Sequence, residues 1–121
     1  MVQLPSFETP DLAAAVELLQ PDEVDQLDFG AVCLDAFGIV RVRNRAEDEL
    51  FPQKISAVGR LFFTDVAPCL NNSHFKGRID KARAAGTLDI GFKFTRDFEK
   101  RDLRVRVQSG KESGTWIFIS P

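Results

Sequence analysis

Cys69 closes the run Phe62-Phe63-Thr64-Asp65-Val66-Ala67-Pro68-Cys69, and its type and setting suit covalent chemistry. Pro68 fixes its own φ and has no backbone N–H to donate, so the loop that delivers the thiol is stiff. The sequence beyond turns helical, and a helix N-terminus favours the thiolate that acyl transfer needs. The other reading of Cys69 is a small packed hydrophobe, the usual place of a free cysteine. Glu47 also has two readings. Buried, a carboxylic acid holds its proton and can give it to an anion. Exposed, it is a solvated helix acid paired with Arg43, four residues back. Arg41, Arg43 and Arg45 alternate at strand spacing and share one polar, outward face. In the alternative, Arg43 turns inward and pairs with an anionic ligand. His74 is the single histidine and reads as surface, at the start of a helix. Cys33 sits on a strand, and two distant cysteines make no zinc site. No Ser-His-Asp set, phosphate loop or metal cluster points to an enzyme.

The elements that must position these groups follow from periodicity. Thr9-Pro10-Asp11 is a helix start, with a capping hydroxyl, Pro at the first position and an acid behind it. Leu12, Val16 and Leu19 make one apolar face, and the helix stops before Pro21. Asp22 can cap a short second turn through Asp25. Residues 1–26 therefore read as an N-terminal helical cap on a single core domain, residues 27–121. Phe29–Asp35 and Ile39–Arg43 are β-prone and flank Ala36-Phe37-Gly38, a hairpin. Asn44–Leu50 favours helix and Pro52 ends it. Gln53–Val58 can form another helical turn. Asn72 or Ser73 caps a longer helix carrying Phe75, Ile79 and Ala82, with Gly86 as its stop. Leu88, Ile90, Phe92 and Phe94 alternate strictly, as do Leu103, Val105 and Val107. Ser109–Gly114 is turn-rich and Thr115–Ser120 is a last strand. Two strands, several helices, then three strands give an α+β domain whose hairpins force antiparallel pairing.

Composition narrows the function classes. The chain has 121 residues, one domain's length, and 44% are hydrophobic, enough for one core. Net charge is −2 and the pI is about 5.4, which argues against an electrostatic nucleic-acid binder. No apolar run approaches the roughly 20 residues of a membrane span. Met1–Pro10 lacks a basic region followed by an apolar stretch, so no signal peptide is expected. Two cysteines fit a reduced, cytoplasmic protein. The chain holds 11 Phe and no Tyr, so its aromatic core has no phenol hydroxyls.

From about Leu27 to Phe118 the sequence resembles the photoactive yellow proteins, blue-light sensors of the PAS superfamily. The matching pieces include Phe29-Gly30-Ala31, Leu34-Asp35, Asn44, Ala46-Glu47, Phe62-Phe63, Asp65-Val66-Ala67-Pro68-Cys69, Gly86-Thr87-Leu88, Asp97 and Trp116. The resemblance implies a PAS fold: a five-stranded antiparallel sheet with helices over one face, a pocket beneath them and an N-terminal helical lid. It implies p-coumaric acid bound as a thioester on Cys69, with the pocket closed by Glu47, Arg43, Phe51, Gln53 and Pro68. Cys69 is then expected to be shielded from solvent yet reachable from the pocket, with Glu47 lining it. Signalling by isomerisation and proton transfer to a downstream protein is implied, from a monomer or weak homodimer, with no nucleic acid and no membrane involved. Three positions depart from the family. Its pocket tyrosine falls at Arg43, its threonine at Phe51 and its gating arginine near Gln53. Losing the phenol and narrowing the pocket with Phe51 both disfavour a buried anion, so a bound coumaroyl group is expected to be protonated more often at neutral pH, unless Arg43 supplies a charge-assisted bond. The alternative is a PAS module without chromophore, acting through protein or small-ligand contacts.

Overall fold

The computed structural model describes residues 3–53, 55–86, 88–96, 101–111 and 114–120. Lys54, Thr87 and Asp97, which enter the helical-turn reading or the family match above, lie outside them.

Five strands form one antiparallel sheet in the order β2-β1-β5-β4-β3. They are β1 (Gly30–Leu34), β2 (Val40–Arg43), β3 (Asp89–Arg96), β4 (Arg101–Ser109) and β5 (Thr115–Ser120). The hairpin stands where β-propensity around a short turn predicts it, and β3 and β4 where alternation predicts them, with β5 following as the last strand. The first and last strands meet at the sheet centre, where β5 pairs with β1 through Gly30↔Ile119 to Leu34↔Thr115.

The sheet separates two apolar clusters. On one face Val32, Leu34, Val105, Val107 and Ile117 pack against Phe62, Leu70, Phe75 and Ile79 from the middle of the chain. That middle holds α3 (Arg45–Leu50), a five-residue π-helical turn (Phe62–Val66), a 3₁₀ turn (Pro68–Leu70) and α4 (Lys76–Ala84). Phe75 meets Phe92 and Phe94 of β3 edge-to-face, both with centroids 5.4 Å apart. Phenylalanine rings fill this core without bringing a hydroxyl that needs a partner. Gly86, at φ +84°, ends α4 in a conformation that a side chain resists.

On the other face α1 (Leu12–Glu17) and α2 (Pro21–Val24) lay Leu12, Val16 and Val24 over Phe29, Ala31, Trp116 and Phe118. Polar bonds fix this cap to β4. Arg106 donates to the carbonyls of Phe7, Thr9 and Pro10 at 2.7, 2.6 and 3.0 Å. Gln108 accepts from Ala13 N at 2.8 Å and donates to the Pro10 carbonyl at 3.0 Å.

Four local expectations change. Phe75, not Asn72 or Ser73, is the N-cap of α4, with no side-chain cap bond. The first helix begins at Leu12, and Thr9 Oγ1 accepts from Ser6 N instead of capping it. Pro21 opens α2 under a Gln20–Glu23 capping box, so Asp22 lies inside the helix. The described residues of Gln53–Val58 form no helical turn, and Gln53 instead bridges the carbonyls of Phe51, the α3 C-cap, and Val66.

Candidate functional site

The site grows from one buried asparagine. Asn44 is the N-cap of α3, and its Oδ1 accepts from Glu47 N at 3.0 Å and Ala31 N at 2.9 Å. Its Nδ2 donates to the carbonyls of Val24 and Phe29, both at 3.0 Å. Asn44 thus joins the end of α2, the start of β1 and the first turn of α3 with its amide fully used. Its preference for the N-cap was the sequence signal for this role.

That anchor sets Glu47 with no exposed surface. The carboxyl lies against β1: a Cβ on Gly30 would stand 2.9 Å from Glu47 Oε2 and 3.2 Å from Glu47 Cα. Only glycine at position 30 lets α3 come this close.

Arg43 is on the same inner face, contrary to the shared polar face expected for Arg41, Arg43 and Arg45. The β1–β2 register runs Cys33↔Val42 and then Leu34↔Val40, so Arg41 is an extra residue, a β-bulge. Strict alternation breaks there. Arg43 comes opposite Val32, and directly opposed residues share a face. The Arg43 side chain is only 6% exposed. Nη1 pairs with Asp48 Oδ1 at 3.0 Å, and Nη2 donates to the carbonyls of Glu47, at 3.3 Å, and Phe51. A cation on the last carbonyls of α3 suits the helix dipole. The ion-pair partner is therefore Asp48, and Arg43 meets Glu47 through its main chain. Arg41 stays outside, bound to Asp35 Oδ2 at 2.7 Å.

Phe51, the C-cap of α3, is buried in the main core at 5% exposure. Gln53 donates to the Phe51 carbonyl at 3.3 Å and to the Val66 carbonyl at 2.9 Å. It thereby ties α3 to the turn that delivers Cys69. Arg60 reaches Gln53 Oε1 at 3.4 Å and the Asp65 carbonyl at 3.0 Å, bringing to this spot a cation that position 53 lacks. No periodic signal in the sequence marks Arg60.

Cys69 and Pro68 are exposed, which corrects the expectation of a shielded thiol. In a 3₁₀ turn residues i and i+3 eclipse. Ala67 and Leu70, at 1% and 0% exposure, take the inward side and leave Pro68 and Cys69 outward. The next helix, α4, begins only at Lys76, so Cys69 is not at its N-terminus. The Cys69 carbonyl accepts from Asn72 Nδ2 at 2.9 Å. His74 is exposed, as its position suggested.

Cys33 is on the opposite face, beside the cap. Burial first, then the charges of Glu17 and Asp35, push its thiol up to about 11. Its reactivity is correspondingly low.

Arg43, Glu47, Phe51 and Gln53 thus form one bonded group, joined through Val66 to the turn bearing Pro68 and Cys69, on the helix-covered face of a five-stranded antiparallel sheet. This is the architecture of a PAS domain. The chain is similar to the photoactive yellow protein of Halochromatium salexigens, 32% identical over 93% of this chain and 94% of that one. The photoactive yellow protein of Rhodothalassium salexigens is 31% identical over 98% of both chains. Among solved structures, the photoactive yellow protein domain of the sensor histidine kinase Ppr from Rhodospirillum centenum superposes with a TM-score of 0.76. It is 33% identical, covering 88% of this chain and 96% of that domain. No family model matches the chain. The chain belongs to the photoactive yellow protein family, as a divergent member.

Proposed function

We propose that this chain is a blue-light sensor that carries p-coumaric acid as a thioester on Cys69 and signals to a partner protein in the cytoplasm. The observation that carries the reading is a reachable thiol on a proline-stiffened turn, whose preceding turn is tied at the Val66 carbonyl by Gln53 to a buried group holding Arg43 and Glu47. The residues suit such a group: Cys69 for attachment, and a buried Arg43 N–H for an anionic end. Cys69 would displace the leaving group of an activated acyl donor, its own proton passing to solvent. When bound, the coumaroyl group supplies absorption of blue light and isomerisation about its double bond.

The chain's own residues do the rest. Phe51 excludes water from the end of α3. Glu47 is the buried carboxyl of this face, and burial suits a group that holds a proton and hands it over. The carboxylate left behind is unfavourable in such a setting, which is the driving force for a structural response. Gln53 couples α3 to the Cys69 turn, so displacement of one is felt by the other.

Incubation with an activated p-coumaric ester tests this. A mass gain of one coumaroyl group in the unsubstituted chain and none in Cys69→Ala supports the reading; equal gain, or no gain in either, refutes it. One observation favours a second reading, a PAS module acting by contact. Among the large hydrophobics exposed on the described residues, Phe37, Val42, Ile55, Val58 and Leu61 fall in two segments, and Val40 bonds Gly59 and Arg60 between them. Large apolar side chains left exposed on neighbouring segments are the raw material of a contact site.

A further inference from the structure

The cap leaves part of its face of the sheet bare. Its polar bonds run from Phe7, Thr9, Pro10 and Ala13 to β4, while β2 is the edge strand beyond β1. Between α1, α2 and β2 lies a groove of about 550 Å³. Small-molecule sites run to roughly 300–1,000 Å³. We propose that this groove binds a small, uncharged, mainly apolar molecule carrying an oxygen acceptor, and that the Nε1–H of Trp116 donates to that oxygen.

The walls and one donor carry the inference. Val16, Leu19, Pro21, Val24, Val42 and Trp116 line the groove, so the body it accepts is apolar. Cys33 and Val42 are directly opposed in the β1–β2 register and share this face. Both side chains are short, which leaves the groove its width. Trp116 is 4% exposed, and its Nε1 is buried with no hydrogen-bond partner among the described residues. A buried indole N–H ordinarily has one. Gly110 leaves room beside it: a Cβ there would stand 3.0 Å from Trp116 Nε1 and 3.1 Å from Glu17 Oε2.

The charges around the groove argue for an uncharged occupant. Arg41 is paired with Asp35, and Arg43, which also borders the groove, with Asp48. Glu17 Oε2 accepts from Lys111 N at 3.0 Å, and Asp25 Oδ1 from Arg45 N at 2.9 Å. Lys111 is exposed, so water solvates its ammonium. An anion here would meet Glu17 and Asp25, and a cation would meet Lys111 and Arg41. Neither gains enough to offset its own desolvation. A carbonyl oxygen costs far less to bury and matches the indole donor. The groove lies across the sheet from the Cys69 turn, so the inference stands whether or not Cys69 is acylated.

The test uses the full chain, isotopically labelled in nitrogen. Trp116 is the single tryptophan, so one indole N–H resonance reports on the site. Three probes share one body: methyl naphthyl ketone, with a neutral acceptor; ethylnaphthalene, with none; and naphthoate, with a charge. The ketone should move the indole resonance downfield in a saturable way. By calorimetry it should bind about fivefold more tightly than the hydrocarbon, and more tightly than naphthoate. Trp116→Phe keeps a ring without the donor, and there ketone and hydrocarbon should bind alike within about twofold. If that variant does not fold, Val42→Phe, at a side chain 38% exposed on the groove's lip, should weaken the ketone by about tenfold. An indole resonance that the ketone does not move overturns the proposal, as does a ketone bound no more tightly than the hydrocarbon. A resonance already downfield without probe, and returned upfield by Glu17→Ala, would show that Glu17 takes the N–H and would overturn it too. So would a resonance that moves with protein concentration alone, which would give the groove to a second copy of the chain.

Discussion

Gly30 shows how closely the buried acid is held. An alanine Cβ there would meet Glu47 Oε2 at 2.9 Å and, at 3.2 Å, the Glu47 Cα and Leu50 Cδ1. Main chain cannot yield as a side chain can, so Gly30→Ala should destabilise by about 1–3 kcal/mol in urea unfolding. Asn44→Ala removes the α3 cap, strands the Ala31 N–H and takes a donor from the carbonyls of Val24 and Phe29. Unfolding should detect a loss of at least about 2 kcal/mol. Cys33 makes a prediction in pH. Its folded thiol titrates at about 11 against an ordinary 9.0, so the folded state holds the proton more tightly. Its contribution to stability is full below pH 9.0 and is lost as pH rises to about 11. The stability difference between the unsubstituted chain and Cys33→Ala should fall across that window; a flat difference would contradict the burial of the thiol. Cys69 and Glu47 could be singled out as candidates because the residues around them match a known pattern. The exposure of Cys69 was not, since it depends on which residues of a three-residue turn face the core.

At the scale of elements, β1 and β2 were legible from β-propensity and β3 and β4 from alternation, but the side each residue of β2 faces was not, because a single inserted residue shifts it. The Arg41 bulge leaves no trace in hydrophobic pattern, because valine and arginine alternate through residues 40–43 as they would in a regular strand. Its partner in the hairpin is Asp35. Asp35 Oδ1 accepts from Phe37 N at 2.9 Å and Ile39 N at 3.0 Å, while Oδ2 holds Arg41. The Ile39 N–H is the largest cause, ahead of Phe37 and Arg41, holding this carboxyl below its ordinary 3.8. The folded state thus prefers the ionised form. Asp35 stabilises above pH 3.8 and ceases to as pH falls through its lower folded value. Asp35→Asn should flatten the acid limb of the stability profile below about pH 4, measured by thermal unfolding. The α2 boundary and the Gln53 loop escape the sequence pattern for a related reason. Caps and loops are decided by which side chain finds which backbone group: Glu23 finds the Gln20 N–H and Gln53 the Val66 carbonyl, and neither pairing shows in apolar spacing.

For the molecule as a whole, the sheet stands between two devices: the cap on one face and the Cys69–Glu47–Arg43 group on the other. β4 is common to both, since Val105 and Val107 pack under the helices while Arg106 and Gln108 hold the cap. Arg106→Ala removes three bonds to the segment of residues 7–10. Amide exchange should then accelerate in the cap while β1, β4 and β5 keep their protection. Equal acceleration throughout would show that cap and core open together. The central claim is that light acts on this chain through a group carried by Cys69. Its most direct test is flash photolysis of the chain acylated with p-coumaric acid, with the visible absorption followed in time. A blue flash should bleach the band and the band should return in the dark, with no such signal from Cys69→Ala treated alike. A band that neither bleaches nor recovers, or an identical signal without Cys69, would contradict it.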